Sequence, residues 1–191
     1  MIYPVILSYA QVAHLGSLTV PVGTKLIICA QFANQPATLG GVSMPLITNY
    51  STFASLRKYI LPPSGNLVYA SSGSPGWFYC LGDAYDAGAS RSGANASGLD
   101  SFSLAGIGAS LVIGLQTAGT TTTAGHHLTV DGADMTYDYN STYYQLGHKA
   151  SSSILIPCTA SDANAGGVVQ GDSFVVIPYR AWNMGNCLMW I

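Results

Sequence analysis

Short runs of apolar and β-branched residues alternate along the chain with turns rich in Gly, Pro and Asn. The clearest stretch is 18–72, which reads LTVPVGTKLIICAQFAN, then ATLGGVSMPLITN, then SLRKYILPPSGNLVYASS. Turn residues interrupt it roughly every 8–12 residues, a spacing typical of antiparallel sandwiches and jelly rolls and not of helices. The pattern therefore predicts an all-β fold, an antiparallel, jelly-roll-like β-sandwich.

The same runs predict where the strands and loops lie. Strands are expected at 2–9, 18–22, 25–33, 37–47, 54–61, 66–72, 76–82, 99–104, 109–117, 127–131, 135–139, 142–147, 152–158 and 172–179. Two segments of small residues, 87–98 and 117–126, predict long exposed loops. No helix of more than one or two turns is expected.

One sandwich and a short tail account for the whole chain. A length of 191 residues suits a single domain. We expect that neither half has enough strands with paired edges to close alone, so the two halves are interpreted as parts of one sandwich over 1–180. Residues 181–191 form an apolar C-terminal tail, where most domains have a polar, frayed end. We expect burial of its large side chains, against the parent sandwich or on a neighbouring subunit. They are Trp182, Leu188, Met189, Trp190 and Ile191.

The chain carries very little charge. Charged residues make up 7% of it, against roughly 25% in average globular proteins. The net charge of −2 and the scattered basic residues argue against nucleic acid as a partner. A surface with so few charges is poorly protected against self-association. The composition therefore favours a symmetric homo-oligomer, a trimer for example, over a monomer coated with neutral polar side chains.

No stretch predicts a membrane span or a secretory signal. The apolar runs are interrupted well short of the ~20 residues that cross a bilayer. The first residues, MIYPVILSYAQVAHLG, have no basic segment before the apolar one and no convincing cleavage site. They predict a first strand, and synthesis in a cytoplasm is expected.

The four cysteines match no metal-binding pattern. They are widely spaced, with no CxxC and no Cys/His cluster at zinc spacing. Buried thiols and disulfides remain as alternatives. The residues concerned are Cys29, Cys80, Cys158 and Cys187. No metal and no cofactor is predicted.

The histidines give little support for catalysis. His126 and His127 are adjacent, and neighbouring residues of a strand point to opposite faces, so they are poor joint ligands. His14 and His148 stand alone, with no acid–base partner nearby in the sequence. There is no GxSxG nucleophile elbow, and the absence of Glu disfavours the paired carboxylates of glycosidases.

Acidic residues offer one weak metal hypothesis. Asp131, Asp134 and Asp138 are close enough in sequence to hold a calcium ion together with backbone carbonyls, but their spacing matches no EF-hand. Because neither the histidines nor the acidic residues form a catalytic pattern, we expect a protein that is not an enzyme.

A tyrosine-rich stretch, YDYNSTYY, is the best binding candidate. Tyr137 and Tyr139 would share one face of an extended strand, and Tyr143 and Tyr144 would return across a turn. Tyrosine combines a flat apolar ring with a hydroxyl, which suits sugar stacking and protein interfaces. A half-buried sheet, a protein interface and a glycan site remain as alternatives.

The order of the motifs TVPVGTKLIICAQF, TLGGVSM and LRKYILPPSGNLVYAS resembles β-sandwich modules of phage virion proteins and bacterial surface proteins. The resemblance covers 17–82 well and 99–179 mainly in strand rhythm. It implies a non-enzymatic structural protein of a tailed phage particle, a capsid-decorating or cement subunit at the virion surface, made in the host cytoplasm. Other capsid or tail proteins would be its partners. The alternative is a receptor- or glycan-binding module of a tail or fibre, with a host surface glycan as ligand.

Overall fold

Strands and turns make up the part of the chain that the structure describes. The computed structural model describes residues 3–50, 52–87, 89–93, 98–103, 109–118, 126–141, 143–153, 155–162 and 169–179. No helix occurs within these ranges. The predicted all-β, antiparallel class is confirmed.

Eighteen strands follow one another in the described part of the chain. They are β1 (Val5–Val12), β2 (Ser17–Val20), β3 (Leu26–Gln31), β4 (Thr38–Leu39), β5 (Val42–Ser43), β6 (Leu46–Tyr50), β7 (Ala54–Ile60), β8 (Gly65–Ala70), β9 (Gly76–Gly82), β10 (Ala89–Gly93), β11 (Gly98–Ser103), β12 (Ser110–Ala118), β13 (His126–Val130), β14 (Ala133–Asp134), β15 (Thr136–Asn140), β16 (Tyr144–Ser151), β17 (Leu155–Asp162) and β18 (Val169–Pro178).

These strands form four antiparallel sheets, which we number by layer. Sheet I has the order β1-β9-β3-β7-β6, and sheet II has the order β2-β8-β4-β5. Sheet III has the order β10-β18-β12-β16-β15, and sheet IV has the order β11-β17-β13-β14. Adding nine to every strand number of sheets I and II gives sheets III and IV. The chain therefore contains two units of nine strands with the same topology.

Each unit is a two-layer sandwich, and the two five-stranded sheets pack against each other. Successive side chains of a strand face opposite sides of its sheet. In β3, Ile27 faces the core between sheets I and II, whereas Ile28 faces the core between sheets I and III. In β12, Val112 and Ile113 divide in the same way between sheets IV and I. Three apolar cores thus separate four layers in the order II, I, III, IV.

The two units contact each other through sheets I and III. β6 of the first unit contacts β10 and β18 of the second. At the opposite side, Tyr9 of β1 donates a hydrogen bond to the carbonyl of Asp138 in β15. The junction therefore involves edge strands of both five-stranded sheets.

A faint sequence repeat accompanies the structural one. The hairpin TLGGVSM at 38–44 corresponds to TVDGADM at 129–135, and Met44 and Met135 are buried in equivalent cores. The two central turn residues have positive φ in both hairpins, 58° and 79° in the first and 54° and 73° in the second. Such pairs are typical of type I′ hairpins, in which Asp131 takes the place of a glycine.

Two predicted segments differ from the structure. The expected long loop at 87–98 is wrong over Ala89–Gly93, because these small residues form β10 and pair with β18 at the edge of sheet III. The expected strand at 37–47 is divided into β4, β5 and the start of β6 by the two turn glycines. Most of the predicted loop 117–126 lies outside the described residues. The expectation that neither half has enough strands to close alone is wrong, because each nine-strand unit forms its own two-layer sandwich. The boundary between a domain over 1–180 and a tail stays a prediction.

Candidate binding site at the junction of the two units

The predicted tyrosine row is divided between two sides of sheet III. Tyr137 lies opposite Gly147 and Tyr139 lies opposite Leu146, so Asp138 is the extra residue of a β-bulge. As a result, Tyr137 packs against the core between sheets III and IV, and Tyr139 packs against the core between sheets I and III. The expectation that these two tyrosines share one face is wrong, because the bulge reverses the alternation.

The second pair of tyrosines also separates. Tyr144 begins β16 and is half-buried, whereas Tyr143 lies in the preceding turn with 45% of its surface exposed. Only Tyr139 and Tyr144 reach a pocket at the junction of the units. The structure thus unites half of the predicted tyrosine site with residues that the sequence did not single out.

This aromatic pocket has a volume of about 220 Å³. Its lining consists of Phe32, Ser74, Pro75, Trp77, Tyr139 and Tyr144. The first four belong to the first unit and the two tyrosines to the second. The Phe32 and Tyr144 rings stack with centroids 4.3 Å apart, and Trp77 meets Phe32 edge-on at 4.7 Å. The pocket therefore exists only where the two units meet.

Local strand geometry brings these side chains together. Phe32 directly follows β3, the central strand of sheet I, and Trp77 lies on the neighbouring β9. Ser74 and Pro75 belong to the turn that connects β8 to β9. Trp77 is only 4% exposed, and its indole N–H has no hydrogen-bond acceptor among the described residues. The pocket thus combines four aromatic rings with an unused buried donor.

A polar network also lies at the junction of the two units. Its residues are close in sequence to residues that line the aromatic pocket. Tyr79 donates a hydrogen bond to Asp138 Oδ2 at 2.6 Å, and His148 Nδ1 lies 2.6 Å from the same oxygen. His148 was expected to stand alone, and this expectation is wrong. The bulge in β15 places Asp138 across the hairpin from His148, ten residues further along the chain. One carboxylate thus joins a side chain of each unit.

Burial controls the ionisation of the two tyrosines in this network. Desolvation, with the neighbouring Asp138 carboxylate as second cause, raises the pKa of Tyr79 well above its usual value. The same two causes raise the pKa of Tyr9, which donates to the Asp138 carbonyl at 3.3 Å. Both hydroxyls therefore remain protonated donors at neutral pH, and the network binds the units together.

The other histidines lie elsewhere. His14 Nδ1 accepts a hydrogen bond from the backbone N–H of Ser71 at 3.1 Å. His126 and His127 are the first two residues of β13. His14 does not belong to the lining of the aromatic pocket.

The aspartates of the calcium hypothesis are dispersed. Asp131 and Asp134 are exposed at the β13–β14 hairpin, whereas the Asp138 carboxylate accepts hydrogen bonds inside the junction. Within the described ranges, no group of three or more His, Cys, Asp or Glu side chains is positioned to hold a metal ion. The hairpin geometry therefore gives the hypothesis no support.

Three of the four cysteines, Cys29, Cys80 and Cys158, are buried. Cys29 and Cys80 are free thiols, which favours the buried-thiol alternative over the disulfide for these two positions. Cys187 lies outside the described residues, as do the predicted interface residues of the tail. Those tail residues are Trp182, Leu188, Met189, Trp190 and Ile191.

A buried cation was missed by the sequence analysis. Arg57 is 8% exposed and donates hydrogen bonds to the Gln31 side chain, the Met44 carbonyl and Asn34. Burial lowers the pKa of its guanidinium group. The alternation of side chains along β7 could have indicated that Arg57 faces the other core. Leu56 packs between sheets I and III, and the next residue, Arg57, lies on the opposite face of sheet I.

Comparison with known proteins gives no relative. No protein-family model matches the chain, and no curated protein or solved structure matches it. In the described part of the chain, no helix has the length and apolar character needed to cross a membrane. The resemblance to phage virion modules therefore stays a prediction.

Proposed function

We propose that this chain is a non-enzymatic structural protein of a tailed phage particle, a capsid-decorating or cement subunit on the virion surface. The observation that carries the proposal is the repeated strand order. In each unit, strands 1, 9, 3 and 7 form one sheet and strands 2, 8, 4 and 5 form the other, with strand 6 added at one edge. This is the order of a jelly roll, an architecture common to viral capsids and lectins.

The exposed edge of sheet I supports assembly with other subunits. β1 is the edge strand, it pairs only with β9 among the described strands, and its sequence VILSYAQV carries no charge. Val5 and Leu7 are 44% and 40% exposed, and Val22 nearby is 87% exposed. An uncharged edge with apolar side chains favours pairing with another chain. Copies of this chain and other virion proteins are the proposed partners.

The mass of the purified protein in solution tests the assembly part of the proposal. Light scattering should give a whole multiple, greater than one, of the 19.9 kDa chain mass. The mass should not change with reductant as far as Cys29 and Cys80 are concerned, because these two thiols are buried and free. A monomer at every concentration would count against self-assembly and in favour of a binding module.

A second candidate function is a receptor- or glycan-binding module of a phage tail or fibre. The aromatic pocket at the junction favours it, because Tyr139 and Tyr144 line an open cavity together with Trp77. A glycan screen with the whole protein tests this candidate. Reproducible binding to a defined glycan would support it, and a screen without hits would oppose it.

A further inference from the structure

We infer that the aromatic pocket binds one neutral pyranose through the apolar C–H face of the sugar ring. This inference deepens the second candidate function and rests on it. The pocket is defined by the six lining residues given above, four from the first unit and two from the second.

The rings of the pocket are fixed before any ligand arrives. Tyr144 stacks on Phe32 at an interplanar angle of 23°, and Tyr139 lies 5.0 Å from Trp77. Each of these rings therefore contacts another ring, which limits its rotation. A ligand that stacks on them loses little affinity to ordering of the side chains.

The size of the pocket selects a small ligand. Its volume of about 220 Å³ lies below the ~300–1,000 Å³ that is typical of sites for drug-sized ligands. A single six-membered sugar ring suits such a space, whereas a disaccharide would extend beyond the rings. One residue of a glycan, terminal or projecting from a chain, is therefore the expected occupant.

The chemistry of the lining selects a neutral and hydroxylated ligand. None of the six lining residues is Asp, Glu, Lys or Arg, so a charged sugar would lose hydration without gaining a counter-ion. The Ser74 hydroxyl lines the pocket and donates only weakly to Gln35, at 3.5 Å. It can exchange a hydrogen bond with a sugar hydroxyl, whereas a purely apolar ligand would make no use of it.

Saturation-transfer NMR with the whole protein tests the inference. The probes are the methyl glycosides of glucose, galactose, mannose and N-acetylglucosamine, with methyl sialoside as the charged comparison. We expect at least one neutral glycoside to bind and the sialoside to bind more weakly. Failure of all four neutral glycosides, or preference for the sialoside, would overturn the inference.

Two neighbouring tyrosines provide a matched pair of variants. Tyr144→Ala removes a ring of the pocket, whereas Tyr143→Ala removes an exposed ring that does not line it. Tyr144→Ala should weaken binding about tenfold, which corresponds to a loss of about 1.4 kcal/mol of binding free energy, because the variant lacks one stacking ring. Tyr143→Ala should leave binding unchanged, and an equal loss in both variants would contradict the assignment.

A third variant protects the test against a folding defect. Tyr144→Phe keeps the aromatic ring that Tyr144→Ala removes, so it should bind like wild type and unfold in a cooperative thermal transition. If the glycan screen is positive but all three variants bind like wild type, the glycan site lies elsewhere. The second candidate function would then survive, and this inference would not.

Discussion

Tyr79 of the first unit donates a hydrogen bond of 2.6 Å to the carboxylate of Asp138 in the second unit. Tyr79 is fully buried, and its ring packs in the apolar core between sheets I and III. A hydrogen bond in such apolar surroundings is strong. Removal of one partner leaves the other buried without a hydrogen bond, which lowers the stability of the folded protein. The bond therefore ties the two sandwich units into one body.

Removal of this hydroxyl should weaken the whole protein. We expect Tyr79→Phe to lower the free energy of unfolding by about 1.5–3 kcal/mol, because the bond involves a carboxylate. Tyr9→Phe is the control, since its 3.3 Å bond to a backbone carbonyl is longer and less buried, and its effect should be smaller. Urea denaturation followed by circular dichroism measures both, and equal effects would contradict the role of Tyr79.

Stability should fall at alkaline pH. Burial raises the pKa of Tyr79 above the usual value of 10.0, so the folded protein keeps a proton that the unfolded chain loses above about pH 10. Unfolding then releases a proton, and a rise in pH favours it. The stabilisation from the raised pKa of Tyr79 is fully present below about pH 10. Above that pH, the free energy of unfolding falls by up to about 1.4 kcal/mol per pH unit for this group.

Urea denaturation between pH 8 and pH 11 checks this dependence. Tyr79→Phe should have a shallower alkaline slope than wild type. Part of the slope will remain, because other buried groups also have raised pKa values: Tyr9, Cys29, Tyr69, Cys80 and Tyr137. Identical slopes for the two proteins would show that Tyr79 does not titrate with unfolding.

A glycine in the second unit is required by close packing. A Cβ atom at Gly114 would lie 2.9 Å from the Phe174 ring and 2.9 Å from the Met135 sulfur. Gly114→Ala should therefore destabilise the protein by about 1–3 kcal/mol through overpacking. Gly82→Ala is the control, because its Cβ would meet Leu7 at an ordinary 3.4 Å. That change should be neutral or stabilise by about 0.4–1 kcal/mol, and thermal unfolding distinguishes the two outcomes.

The apolar tail gives a prediction about assembly. Deletion of residues 181–191 should leave the strand core folded and abolish oligomer formation, if the tail docks on a neighbouring subunit. Circular dichroism checks the fold and light scattering checks the mass. An unfolded truncated chain would instead place the tail against its own sandwich.

Local patterns predicted the strands where alternation and turn chemistry agree. The buried run around Ile27 and Ile28, the Pro62-Pro63 turn and the Gly40-Gly41 hairpin are all readable from a few neighbouring residues. The small residues of β10 carry no apolar signal, because an edge strand of this kind depends on β18 for its pairing. A short window of sequence therefore does not reveal it.

The duplication and the site depend on relationships over longer distances. Of the TLGGVSM and TVDGADM hairpins, only the first, fourth and last residues are identical, so the repeat becomes clear only with the strand order beside it. The bulge at Asp138 depends on its pairing with β16, and the pocket joins Trp77 to Tyr139 across two units. A comparison of the two halves of the sequence could have indicated the duplication, and with it the junction between the two units.

The protein content of purified particles tests the proposed function most directly. The proposed function requires that a tailed phage encodes the chain. Quantitative mass spectrometry of gradient-purified virions of such a phage measures the copy number of the chain relative to the major capsid protein. We predict a fixed, symmetry-compatible number of copies that persists through repeated purification. Absence of the chain from the particles, while it is abundant in the infected cell, would contradict a structural role in the virion.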